Sequence, residues 1–120
     1  EDGMKVRREV LGDVYVDRAF EGVTDFDREF QELVTAVAWG QTWARDKLSH
    51  RERSLLNLGM LAALGRSQEL ATHTRAALGN GLTPDEIAEA FRQVAIYAGF
   101  PAAIEAFRVG KQVLADTSSS

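Results

Sequence analysis

Glu69 and His73 stand four residues apart in the run from Arg53 to Gly81, on what reads as one helix. Positions i and i+4 of a helix share a face, so a carboxylate there can orient or polarise an imidazole. The pair is therefore a compact acid/base unit. Its plainer reading is an exposed helix pair that adds roughly 0.2–0.5 kcal/mol to helix stability. The chain has one other histidine, His50, which falls beside a helix cap, where a solvated imidazole is the ordinary outcome. Arginine outnumbers lysine 11 to 3. A guanidinium fork grips a carboxylate bidentately, and Arg53, at the entrance of a helix, is the first candidate to hold an acidic ligand, followed by Arg45 and Arg75. Arg53 could instead pair with a carboxylate on the helix surface. Trp39 and Trp43, also four apart, read as core or interface anchors or as the wall of a binding site. Tyr97, beside Gly99-Phe100-Pro101, has a hydroxyl that could donate to a ligand oxygen or satisfy a backbone carbonyl.

Composition bounds what these residues can be for. At 120 residues and 45% hydrophobic the chain suffices for one globular domain, read as residues 4–115. Residues 1–3, ahead of Met4, resemble a cloning remnant, and 116–120 read as a frayed tail. A formal charge of −4 lacks the basic footprint that nucleic acid requires. No run approaches the ~18 apolar residues of a membrane span, so the expectation is a soluble cytoplasmic protein with neither a nucleic-acid nor a membrane partner. With no cysteine, disulfides, thiolate nucleophiles and thiolate metal sites are excluded. One imidazole among scattered carboxylates makes a poor metal site, and no phosphate loop, GxGxxG or HExxH is present. The expectation is no metal and no cofactor.

The elements that must position these residues are helices, so the fold class is all-α. A short helix is predicted within Met4 to Phe20, broken near Gly12. Phe26, Phe30, Leu33, Val34 and Val37 recur at spacings of three and four, predicting an amphipathic helix over 25–44 that buries this stripe. Ser49-His50-Arg51-Glu52 fits a capping box opening a helix through Leu55, Leu56, Leu58, Met60, Leu61 and Leu64. Apolar over more than one face, that helix reads as the central and most buried one. Ser67 can cap the next, which carries Glu69 and His73 and stops at Gly79-Asn80-Gly81. Thr83-Pro84-Asp85-Glu86 is a second capping box, opening a helix with Ile87, Phe91, Val94, Ala95 and Ala98 on its buried side. A last helix is expected from about Ala102 to Leu114.

Four blocks also carry a resemblance: MKVRREVLGDVYVDRAF, DFDREFQELVTAVAWGQTWAR, RERSLLNLGMLAALGRSQELATHTRAALGNGLTPDEIAEAF and VAIYAGFPAAIEAF, in order and without a large gap. Together they resemble the carboxymuconolactone decarboxylase family. The resemblance implies an AhpD-like helical domain of about six helices, assembled into a homo-oligomeric ring, most often a hexamer built as a trimer of dimers. It further implies cofactor-free decarboxylation of 4-carboxymuconolactone, a dicarboxylate lactone, to β-ketoadipate enol-lactone in protocatechuate catabolism. Relatives acting as alkylhydroperoxidase partners carry a CxxC ahead of the histidine; here those positions are Arg66 and Glu69, so dithiol chemistry is absent. Some members place a further polar or histidine residue in the helix before the YxGxP segment, where this chain has Gln93.

The residue types suit such a reaction. Loss of CO2 from a carbon vinylogous to the lactone carbonyl sends the electron pair onto the carbonyl oxygen, which needs donors there and a proton for carbon afterwards. His73 is assigned as the general acid, Glu69 as its orienting and charging partner, Arg53 as the grip on the retained carboxylate, and Trp39, Trp43 and Tyr97 as further substrate contacts. Two other classes fit the same residues: a catalytically silent, ring-forming protein that binds a small acid, and a cofactor-free lactone isomerase or hydrolase on the same scaffold.

Overall fold

The computed structural model describes residues 2–118, which form seven α-helices and one π-helical segment, with no strand among them. No helix among the described residues is long and apolar enough to cross a membrane. The described residues gather into two compact units that divide between His50 and Arg51.

In the N-terminal unit, α1 (Asp2–Leu11) and α2 (Asp13–Glu21) are separated at Gly12, whose φ of 92° lies in the region that glycine tolerates and L-residues avoid. The break expected near Gly12 is there, with a helix on each side of it. Arg8 spans the break, donating to Asp13 at 3.0 Å and Asp17 at 2.7 Å.

The next segment departs from expectation. Residues 24–27 form a turn in which Asp27 Oδ1 accepts from Thr24 N at 2.8 Å, and α3 begins only at Arg28 (Arg28–Val34). It then widens into the π-helical Thr35–Trp43, with Ala44 N donating to Trp39 O and Thr42 Oγ1 to Val37 O, each five residues back. The stripe expected to be buried is largely exposed: Phe26 is 99% exposed, and Phe30, Leu33 and Val37 are also open. Phe26 falls in the turn before α3, and the widening changes the angle each residue advances from Thr35 on, so the face projected from 3.6-residue spacing over 25–44 does not run through the whole segment. Trp39 and Trp43 are the residues buried here.

The cause is tertiary. Gly3 of α1 is buried so close to the π-segment that a Cβ on it would lie 2.2 Å from Thr35 O and 3.0 Å from Gly40 N. Arg7, one turn on and also buried, donates to Thr35 Oγ1 at 3.0 Å and Gln31 Oε1 at 3.1 Å and lies 5.2 Å over the Phe20 ring. Its burial pushes the guanidinium below its ordinary value. Gly3→Ala is therefore expected to destabilise this unit by about 1–3 kcal/mol, since backbone cannot yield as a side chain does. A denaturation midpoint equal to the parent's would show that the approach of α1 to the π-segment is looser than this.

The C-terminal unit comprises α4 (His50–Leu64), which begins at the boundary residue, α5 (Ser67–Gly79), α6 (Pro84–Ala98) and α7 (Phe100–Ser118). Its core joins Leu58, Leu70, Ala77, Ile87, Phe91, Val94, Ala106 and Val109. The Thr83 capping box forms as the sequence predicts: Thr83 Oγ1 accepts from Glu86 N at 3.1 Å, and Glu86 Oε1 accepts from Thr83 N at 3.0 Å. Arg51 also pairs with Glu86, tying α4 to the start of α6.

Three expectations are corrected here. Ser67 does not cap α5; it is the first helical residue, and its Oγ donates to Glu105 Oε2 on α7 at 2.7 Å. Nor is α4 uniformly buried. Ser54, Leu58 and Ala62 form one buried stripe, while Leu55, Leu56, Met60 and Leu64 are exposed. Only one face of α4 meets the core, so its second apolar face stays open in the single chain. The last helix is longer than expected, starting at Phe100.

Candidate active site

α4 and α5 bring three of the expected residues and one unexpected one into a shared strip. His73 is half-buried on α5, with Glu69 exposed one turn earlier on the same face. Arg53 is half-buried on α4. One turn after Arg53, on the same face, is Asn57, whose Nδ2 lies 3.4 Å from His73 Nδ1. Asn80, just beyond α5, donates from Nδ2 to Ser54 Oγ at 3.0 Å. Partner numbers fall from 80 to 73 as α4 numbers rise from 54 to 57, so the two segments run antiparallel. Arg53 thus sits about one turn, roughly 6 Å, along α4 from the residue that touches the imidazole.

Sequence reasoning missed Asn57. Its signal was present: within Leu55-Leu56-Asn57-Leu58 it is the lone polar side chain in an apolar run, and it repeats Arg53 at i+4. Its partner is sixteen residues away on another helix, a contact that local spacing does not encode.

The electrostatics of His73 set two effects against each other. Burial disfavours the imidazolium and is the larger; the Glu69 carboxylate favours it and is the smaller. The net direction is down from an ordinary histidine, so the resting imidazole is mainly neutral at pH 7. The sequence reading gave Glu69 the charging role, and the structure ranks burial above it. The ring contact resolved is with Asn57, while Glu69 acts through its charge.

The remaining expected residues are carried by other elements. Tyr97 is 83% exposed near the end of α6, among the exposed Ile96, Phe100 and Ile104. Trp39 and Trp43 belong to the N-terminal unit, with ring centroids 5.1 Å apart and planes tilted by 32°. His50, half-buried, sits with its ring 6.1 Å from that of Trp43. Among the described residues no three His, Asp or Glu side chains gather closely enough to hold a metal ion.

This strip can supply a proton or an N–H donor from His73, a polar partner that fixes the ring, and a nearby cation for a carboxylate. Known proteins are similar to this chain along most of its length. The chain is 41% identical over 114 residues to the 4-carboxymuconolactone decarboxylase of Acinetobacter baylyi, covering 95% of this chain and 85% of that protein. It is 44% identical over 116 residues to the nitrosuccinic acid decarboxylase of Metarhizium robertsii, covering 97% and 81% respectively. The family model described as the Carboxymuconolactone decarboxylase family matches residues 28–112, which include Arg53, Asn57, Glu69 and His73. By a family match over well more than half its length and by relatives aligned nearly end to end, this chain belongs to the carboxymuconolactone decarboxylase family.

Proposed function

We propose that this chain is a cofactor-free carboxy-lyase that converts 4-carboxymuconolactone to β-ketoadipate enol-lactone, with His73 as proton donor. The observation that carries the reading is the half-buried His73, held by Asn57 and one turn from the reach of Arg53, in a chain so similar to a protein of that name.

The substrate brings two carboxylates. Arg53 grips the one that is kept. The bond from the ring carbon to the other carboxylate breaks, CO2 leaves, and its electron pair passes through the ring double bond onto the lactone carbonyl oxygen. The dienolate is then protonated at the carbon next to the carbonyl by the His73 imidazolium, which shifts the double bond and gives the enol-lactone. A neutral resting His73 fits this order of events. Two arriving negative charges favour the imidazolium, so the ring is charged when substrate is present. Glu69 contributes in the same direction.

The similarity to nitrosuccinic acid decarboxylase favours a second substrate reading on the same site. Nitrosuccinic acid also has two carboxylates, and loss of the one beside the nitro group leaves the electron pair on that group, again to be protonated at carbon. The site would do the same work with a nitro group as acceptor.

The open apolar face of α4 and the exposed Ile96, Tyr97, Phe100 and Ile104 support a homo-oligomer, a hexamer or trimer of dimers in this reading, in which association buries them. Such a ring would operate in the cytoplasm, on a pathway of aromatic breakdown.

The deciding experiment is to add purified protein, with chelator present, to each acid separately and to follow CO2 release together with the ultraviolet absorbance of the lactone. CO2 release with loss of absorbance is the expected result. Loss of absorbance without CO2 would make the chain a lactone isomerase or hydrolase. Binding without either change would make it a silent acid-binding ring. CO2 from nitrosuccinic acid alone would select the second substrate.

A further inference from the structure

Across the α4–α5 strip His73 meets Asn57, whose amide can bias which ring nitrogen carries the proton. Asn57 presents its amide nitrogen to His73 Nδ1. With the amide nitrogen so placed, the contact is a hydrogen bond when Nδ1 accepts, which is the case when the ring carries its proton on Nε2. At 3.4 Å the contact is a long one for a hydrogen bond. An amide differs from the carboxylate that commonly holds a catalytic histidine: turned by half a rotation, the same side chain offers Oδ1, an acceptor.

We propose that Asn57 is the positioning residue for His73, its NH2 holding the resting imidazole as the Nε2–H tautomer and its Oδ1, after the amide turns, accepting from Nδ1–H of the imidazolium. Nε2 is then the nitrogen that delivers the proton. This assignment rests on the reading of His73 as proton donor.

The charged groups on the elements that pack with α5 do not supplant this role. α4 carries Arg51, Glu52 and Arg53, of which Arg51 is engaged with Glu86. α5 itself carries Glu69 and Arg75. α7, packed on α5, carries Glu105, Arg108, Lys111 and Asp116; Arg108 and then Ser67 hold the Glu105 carboxyl down to about 2, so it stays ionised and paired. Of these, the Glu69 charge acts on His73 and favours its imidazolium.

The test is nitrogen-15 NMR of the His73 ring in the full chain without substrate, together with kinetics of two variants. The parent is expected to show a protonated Nε2 and an unprotonated Nδ1; the opposite tautomer would overturn the proposal. Asn57→Leu keeps the bulk and removes the hydrogen bond, and is expected to mix the tautomers and lower kcat about tenfold, as loss of a neutral hydrogen bond does, with KM within about twofold. An unchanged tautomer and kcat would sink the idea. Asn57→Asp puts a carboxylate against Nδ1, favours the imidazolium, and is expected to move the basic limb of the kcat profile to higher pH; a purely structural Asn57 would leave that limb in place. The NMR readings need no turnover, so they stand or fall separately from the decarboxylase reading, which fails instead on absence of CO2.

Discussion

His73→Ala is expected to lower kcat by about 10²- to 10⁴-fold, the usual contribution of a general acid in the chemical step, with little change in folding. His50→Ala is the matched control. The His50 ring is 6.1 Å from that of Trp43, and its loss is expected to leave kcat within roughly twofold of the parent. Near-parental turnover by His73→Ala, or an equal loss in His50→Ala, would mean that the acid has been misplaced. Both variants should be compared at a temperature where each remains folded, because removing a ring beside Trp43 also removes packing.

The pH dependence carries a sign that follows from the burial of His73. Because burial lowers its pKa in the free enzyme, kcat/KM should fall with rising pH through a value below that of an ordinary histidine. The kcat limb should lie higher, since bound dianion favours the imidazolium. Glu69→Gln removes the one charge that offsets burial, so the protonated form is lost earlier as pH rises and both limbs move down. A limb that moves up in Glu69→Gln would mean that Glu69 is not acting on His73 by its charge.

What could be read from the sequence divides along a physical line. Features set by a few neighbouring residues were legible: the Thr83–Glu86 box, the break at Gly12, the stop after Gly79, and the shared face of Glu69 and His73. Features set by distant partners were not. Nothing local to Thr35–Trp43 announces a π-segment; it coincides with Gly3 and Arg7 of another helix pressing on Thr35, Gln31 and Gly40. Ser67 looked like a cap because a serine before a helix usually is one, yet Glu105 across the unit takes its hydroxyl. The candidate site shows the same division. Glu69 and His73 are candidates by their spacing and Arg53 by its place at the entrance of a helix, whereas Asn57 needed the fold of α4 against α5.

Arg53→Ala is expected to raise KM by about 10- to 100-fold with a smaller effect on kcat, the size expected for losing a charge-assisted hydrogen bond to a bound carboxylate. The retained carboxylate is bound equally in the ground and transition states, and such binding appears in KM. Arg53 is suited to this because its side chain is half-buried on the same face as Asn57, so less water competes for the fork. Arg51, two residues away, is committed to Glu86 and the start of α6, and its loss should be read in stability before it is read in KM. Arg53→Lys is expected to recover only part of the loss, because a point charge cannot reproduce two parallel N–H donors. Unchanged kinetics in both Arg53 variants would transfer the anchor to Arg75 or Arg45. Since Arg75 is exposed on α5 two residues beyond His73, a transfer to Arg75 would place the retained carboxylate away from the Asn57 face and would require the substrate to approach His73 from another side.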